Sequence, residues 1–263
     1  MFNRISGVYD FLNHLLSFNT DRRWRKRMAR LAVRGSDPSY GAQAARRADQ
    51  LVEWGLTPKT TLAAGLTPDT RAHAHTALYL DLCCGTGDST IAIAKETDAN
   101  ALVVGLDFAE NMLARMQRKI SRRGRASKIA ICKGDALRLP FQTGTFQAVA
   151  TTFGIRNIPD RAAALREMLR VTRPGGRLVI LEFVRPASGV MRGPSMFFLR
   201  RVLPFLGRLF SGDQYNAYSY LPQSIMTFPT AEEFRREMLA AGCSHAACEF
   251  ARAGLVAFFT GTK

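Results

Sequence analysis

The sequence predicts an α/β fold. Its core is a mostly parallel sheet, with helices ahead of it and a helical insertion before the last strands. Three observations predict it. From residue 77 onward, apolar runs of strand length alternate with amphipathic stretches, the pattern of successive βα units. The first run, ALYLDL, leads into a glycine turn, CCGTGD, and then a helix start. The second run, ALVVGLDF, ends on an acid, Asp107, about twenty residues after that turn.

Each element follows from local pattern. Phe2, Ile5, Tyr9, Leu12, Leu15 and Leu16 recur at helical spacing. A break near Ser17 to Thr20 precedes a second, basic helix from Asp21 to about Val33. The two read as an amphipathic pair, packed on the main domain or forming a substrate lid. Residues 34–76, with Gly, Ser, Pro, Ala and scattered Arg, read as a long connection in which 51–56 closes a short helix. Strands are expected at 77–83, 101–107, 128–133, 146–152 and 177–183, with helices at 88–97, 109–122 and 160–171 between them. The turn Arg173-Pro174-Gly175-Gly176 should close the last of these helices. A helix at 230–241, capped by Gly242, and two apolar stretches near 245–250 and 254–260 end the chain as a hairpin, bringing the strands to seven. The division expected is residues 1–76, then a domain at 77–263 carrying the insertion at about 185–229.

The first turn points to a nucleoside-bearing cofactor. Gly85 and Gly87 allow a tight turn and close approach of a ligand. Asp88, Ser89 and Thr90 begin a helix whose free N–H groups attract an anion such as a carboxylate. Asp107 can accept hydrogen bonds from both hydroxyls of a ribose. The third glycine of a dinucleotide fingerprint is missing, since Thr90 stands there. Asp81, four residues before Gly85, suits a ligand bearing an ammonium and a sulfonium better than a pyrophosphate. That spacing indicates S-adenosylmethionine and a class I methyltransferase, a Rossmann-like fold.

Bulk properties narrow the class. The 263 residues suffice for one α/β domain with additions. No apolar run reaches membrane-span length, and no signal peptide is expected at Met1. The five cysteines show no metal spacing, and His73 and His75 lie in an Ala/Thr-rich stretch without further ligands, so no metal is expected. The net charge of +16 implies attraction to polyanions, either nucleic acid or an anionic membrane surface. In the insertion, MRGPSMFFLRRVLPFLGRLF interleaves bulky apolar residues with arginines. It fits a membrane interface, a cover over a greasy substrate or an ordinary packed helix.

These motifs together resemble the UbiE-like ubiquinone/menaquinone C-methyltransferases across nearly the whole chain. The segments that carry the resemblance are VYDFLNHLLSFNTDRRW, LDLCCGTGD, GDALRLPF, TTFGIRNIPD, RVTRPGGRLVILEF and YSYLPQSIMTFP. Asn19 and Asp21 stand where many members have Gly and His, and the connection 34–76 is longer than usual. The resemblance implies C-methylation of a prenylated quinol, demethylmenaquinol first, with the methoxy-benzoquinol of ubiquinone synthesis as the alternative. It implies that Thr86 and the Gly85 and Gly87 backbone hold the methionine part, Asp107 the ribose, and Asp135 with Ala136 the adenine edge. Thr152 would lie beneath the cofactor. Arg156 with Asn157 is the candidate to stabilise a phenolate on the acceptor ring, and Tyr9 and Asp10 could close the site, Asp10 as a base. A nucleic-acid methyltransferase should carry D/N-P-P-Y or a Pro-Cys nucleophile after the fourth strand, where this chain has FGIRN, so no nucleic acid partner is expected. Another small-molecule methyltransferase and a non-catalytic cofactor-holding subunit are the remaining rivals. The prenyl tail implies a cytoplasmic chain held peripherally on the inner face of an anionic membrane. A homo-oligomer is left open.

Overall fold

The computed structural model describes residues 20–34, 77–122, 128–185, 193, 217–252 and 254–263. The expected first helix, residues 35–76 of the expected connection and most of the insertion lie outside the described residues, and Arg34 belongs to the helix before that connection. The chain opens with helix α1 (Asp21–Arg34), then β1 (Ala77–Leu82), α2 (Asp88–Glu96), β2 (Ala101–Asp107), α3 (Glu110–Arg122) and β3 (Ile129–Lys133). It continues with β4 (Phe146–Thr152), a short 3-10 turn (Ile155–Asn157), α4 (Arg161–Val171) and β5 (Thr172–Phe183). Then come α5 (Ala217–Thr227), α6 (Ala231–Ala240), β6 (His245–Arg252) and β7 (Val256–Thr262).

The strands form one seven-stranded sheet in the order β3-β2-β1-β4-β5-β7-β6. The first five pair in parallel, and β7 runs antiparallel to both β5 and β6. Strands covered on both faces favour near-continuous apolar runs. Accordingly all seven residues of β2 and of β4 are buried. Successive side chains alternate between two cores. One holds Leu78, Leu80, Leu82, Phe146, Leu165, Met168, Phe234 and Phe259, under α4 and α6. The other holds Tyr79, Val103, Met28, Ala29, Ile91, Leu113 and Met116, under α1, α2 and α3.

Helix ends follow their chemistry. Asp160 caps α4 by accepting from the Ala163 amide at 2.9 Å, so α4 starts where the sequence indicated. Thr230 and Glu233 form a reciprocal capping box at the start of α6. One expected boundary moves. The RPGG turn does not separate α4 from a strand beginning at 177; β5 begins already at Thr172. Thr172 pairs with Phe146 and Arg177 with Ala148, so residues 173–176 bulge opposite Gln147. Gly175, at φ 69°, makes the bend, and the Lys263 backbone holds its outer side through Gly175 N–H to Lys263 O and Lys263 N–H to Gly176 O.

The order of strands creates the site. From β1 the chain moves outward to β2 and β3, then returns to place β4 on the other flank of β1. The loops at the carboxyl ends of β1 and β4 therefore diverge and leave a crevice.

Candidate active site

A cavity of about 450 Å³ opens at that crevice, within the range of small-molecule sites. Its walls come from Cys83 and Gly85 after β1, Asp107 at the end of β2, Phe108 just after it, Met112 in the first turn of α3, and Asp135 to Leu137 after β3. Phe153 to Pro159, after β4, closes the fourth side through Phe153, Gly154, Asn157, Ile158 and Pro159.

The cofactor loop is tied at several points. Gly85 lies at φ 55° and Gly87 at φ 84°. A β-carbon on Gly87 would stand 2.5 Å from Met116 Cγ, so glycine is needed there for conformation and for space. The Gly85 amide donates to Asp107 Oδ2 at 2.8 Å, and the Ala109 amide to Oδ1 at 2.9 Å. Each carboxylate oxygen has a second acceptor site, so Asp107 organises the loop and still presents acceptors to a ligand. Burial pushes its pKa up against those backbone donors. Lys119 donates to Thr86 Oγ1 at 3.0 Å and to Asp88 Oδ1 at 2.9 Å, fastening the turn to α3.

Behind the loop, Asp81 is fully buried and accepts from Thr90 Oγ1 at 2.6 Å through Oδ2. Its Oδ1 has no partner among the described residues. Burial raises its pKa from 3.8 to about 7, outweighing the Thr90 hydrogen bond and the nearby Arg25 charge. On the far wall, Arg170 donates to the Phe141 carbonyl at 2.7 Å and the Leu139 carbonyl at 3.0 Å, holding the loop that carries Asp135. Asp135 Oδ1 accepts from the Leu137 amide at 2.9 Å, which turns the chain beside Ala136.

Not every residue singled out from sequence reaches the cavity. Gly85, Asp107, Asp135, Ala136 and Asn157 line it. Asp81, Thr86, Gly87 and Thr152 do not; strand alternation turns Asp81 toward α2, Lys119 engages Thr86, and Gly87 caps α2 against Met116. Thr152 is buried at the end of β4, its hydroxyl without a partner among the described residues. Arg156 is no free guanidinium facing the cavity. Its Nη1 donates to Glu182 Oε1 at 2.6 Å and to the Phe153 carbonyl at 2.7 Å. Tyr9 and Asp10 lie outside the described residues.

Four contributors escaped the sequence. Phe108, 62% exposed, offers a ring beside Asp107 on which a planar base could stack. Cys83 and Phe153 both take the left-handed backbone region at φ 56°, unusual for residues with a β-carbon. Each follows the end of its strand, so the strain bends both chains out of the sheet where the crevice opens. Glu182, at 0% exposure, anchors Arg156. Only the strand-like run LVILEF around Glu182 was legible, and nothing in it names a partner.

A switch-point crevice with a glycine turn after β1 and an acid at the end of β2 is the arrangement of the class I methyltransferase fold. Comparison with known proteins gives the family. The chain belongs to the ubiE/COQ5 methyltransferase family, whose model matches residues 62–263. It is therefore an S-adenosylmethionine-dependent methyltransferase. The chain is 36% identical over 263 residues to the "Ubiquinone/menaquinone biosynthesis C-methyltransferase UbiE" of Geobacter sulfurreducens, covering all of this chain and 87% of that protein. It is 40% identical over 244 residues to the "Demethylmenaquinone methyltransferase" of Thermus thermophilus, covering 93% of this chain and 91% of that one. Among solved structures it resembles a Haemonchus contortus phosphoethanolamine N-methyltransferase in complex with S-adenosylhomocysteine, with TM-score 0.52 at 14% identity, covering 86% of this chain and 60% of that one. At that identity the likeness speaks for the fold.

Proposed function

We propose that this chain transfers the methyl group of S-adenosylmethionine to a ring carbon of a prenylated quinol, converting demethylmenaquinol to menaquinol. The observation that carries the reading is the shape of the cavity wall. The acids Asp107 and Asp135 come from the ends of β2 and β3, while the segment after β4 contributes Phe153, Ile158 and Pro159 with a single side-chain amide, Asn157. An apolar wall with one amide suits a flat ring bearing a hydroxyl. The similarity to the Thermus thermophilus demethylmenaquinone methyltransferase supports the same acceptor. The Geobacter sulfurreducens relative's name also covers ubiquinone biosynthesis, so 2-methoxy-6-polyprenyl-1,4-benzoquinol is the second reading.

The residues present fit the cofactor. Asp107 would hold the ribose, Asp135, Ala136 and Phe108 the base, and Thr86 with the Gly85 and Gly87 backbone the methionine part. Asp81, whose Oδ1 has no partner among the described residues, would hold positive charge from behind the loop, and Thr152 would floor the site. When bound, the cofactor supplies an electrophilic methyl group on a sulfonium. The acceptor carbon becomes a competent nucleophile once a ring hydroxyl loses its proton. Asn157 would hold that ring oxygen. Arg156, whose buried Nε–H has no partner among the described residues, would favour the phenolate through its charge. Tyr9 and Asp10 would close the site from the N-terminal helices, with Asp10 as the base. In this reading residues 77–263 carry the chemistry and residues 1–76 cover it.

The prenyl tail puts the acceptor in a bilayer, so we place the chain peripherally on the inner membrane face. No helix among the described residues is long and apolar enough to cross a membrane. The test is a methyl-transfer assay with S-adenosylmethionine and short-chain demethylmenaquinol under reducing conditions, the benzoquinol in parallel, and products read by mass. One methyl gained on the naphthoquinol is expected. Product from the benzoquinol alone would move the chain to the second reading, and none from either would refute both.

A further inference from the structure

Glu182 is the penultimate residue of β5, fully buried and absent from the cavity lining. A buried carboxylate needs hydrogen-bond donors, and three converge on this one. Arg156 Nη1 and the Phe183 amide donate to Oε1 at 2.6 and 2.8 Å, and the Arg156 amide donates to Oε2 at 3.3 Å. The net continues outward. The same Nη1 donates to the Phe153 carbonyl, which also accepts from the Asn157 side-chain amide at 3.3 Å. The guanidinium lies 5.6 Å over the Phe183 ring, and that ring stacks on Phe153 at 4.7 Å. Burial pushes the Glu182 pKa up, with Arg156 and the two amides pulling against it.

Phe153 and Asn157, at the two ends of this net, both line the cavity. A buried ion pair is a weak source of stability, because desolvation offsets most of the attraction. What it supplies is a fixed geometry. Here that geometry holds a wall whose first residue sits in a strained backbone region, at φ 56°.

We propose that Glu182 is a positioning residue for methyl transfer, acting through Arg156 and the Phe153 carbonyl to fix Asn157 and the Phe153 ring against the acceptor. The proposal deepens, and rests on, the quinol reading above. In-line displacement demands that carbon and methyl align, and a misplacement of ~1 Å costs about a hundredfold in rate. Glu182 touches neither reactant, so its loss should appear in turnover and leave cofactor binding alone.

The test compares wild type with Glu182→Gln and Glu182→Asp. In Glu182→Gln one end of the amide must present N–H to a donor, either the Arg156 amide or the Nη1 and Phe183 pair. The expected result is kcat down about tenfold to a hundredfold with quinol KM nearly unchanged. S-adenosylhomocysteine affinity by calorimetry should stay within about threefold, under 1 kcal/mol. Amide exchange across residues 153–158 should quicken about tenfold while residues 80–88 hold their rate. Glu182→Asp keeps the charge and should recover part of both losses; it carries the same readouts if Glu182→Gln does not fold. Unchanged exchange, or faster exchange with unchanged kcat, overturns the proposal. So does a fall in kcat matched by an equal fall in S-adenosylhomocysteine affinity, which marks a general structural role. A wild type inactive on both quinols overturns the quinol reading itself, an outcome distinct from an active wild type with indifferent variants.

Discussion

Asp81 shows how burial sets chemistry at the residue scale. Its pKa rises from 3.8 to about 7 because desolvation outweighs Thr90 and Arg25. The folded value exceeds the unfolded one. Between those values the folded chain holds a proton that the unfolded chain has released, so this group's contribution is full at low pH and is lost as pH rises through about 7. Asp81→Asn should therefore be more stable than wild type at about pH 8, by on the order of 1–4 kcal/mol. The gap should close toward about pH 4. Urea melts at the two pH values check this, and a gap that ignores pH would refute it. Gly87→Ala tests the turn: the strained φ and the 2.5 Å approach to Met116 Cγ should together lower stability. The expected loss is about 2–4 kcal/mol, read as a lower melting temperature. Gly85 and Asp107 line the cavity as their spacing indicated, because a single βαβ unit brings the ends of β1 and β2 together; Asp81 and Gly87 belong to the same unit but face α2 and α3 instead. Glu182, Phe108 and the strain at Cys83 and Phe153 were not legible in the sequence. Glu182 meets Arg156 only because β5 lies beside β4, and no local pattern encodes that adjacency.

Elements were readable where a run had one job. The buried parallel strands announce themselves as continuous apolar runs, and α1 begins at Asp21 as the basic helix at that position indicated. The start of β5 was misread because turn chemistry at RPGG is overridden by partners on both sides, Phe146 of β4 and the Lys263 backbone. Arg170 shows a helix serving a distant loop: it leaves α4 to hold two carbonyls of the segment after β3. The clearest element-scale test is the capping box of α6. Thr230 Oγ1 accepts from the Glu233 amide at 3.3 Å while Glu233 accepts from the Thr230 amide at 2.8 Å. Thr230→Ala removes one half of the box and should cost about 1 kcal/mol. A denaturant midpoint shifted by that amount, with methyl transfer intact, is the expected outcome, since α6 packs on the sheet face under Phe234 and Phe259, away from the cavity. An unshifted midpoint would show that the cap contributes nothing there.

At the scale of the whole molecule, the net charge of +16 must find a partner or be screened. Part of it sits near the cavity. Arg22, Arg23 and Lys26 are exposed on α1. The same helix turns Trp24 onto the cavity-lining Phe153 at 6.4 Å and Arg25 onto Ser89 at 2.8 Å. These contacts put the amino end of α1, with its outward cations, at the carboxyl ends of the strands. A substrate with a prenyl tail would enter from the same side, so the charge and the cavity can face one membrane together. Each cation near an anionic bilayer contributes about 1 kcal/mol. Salt shortens the reach of that attraction from ~10 Å at about 0.1 M to ~3 Å at about 1 M. Co-sedimentation should therefore show the chain on anionic vesicles at low salt, released as salt rises, and weakly held on neutral vesicles throughout. Reversing Arg22, Arg23 and Lys26 to glutamate should weaken binding to the anionic vesicles while S-adenosylhomocysteine binding stays put, because none of the three lines the cavity. Equal binding to neutral vesicles would assign the contact to apolar insertion instead. No binding at any salt would separate the charge from the membrane and require the quinol to reach the cavity by another route.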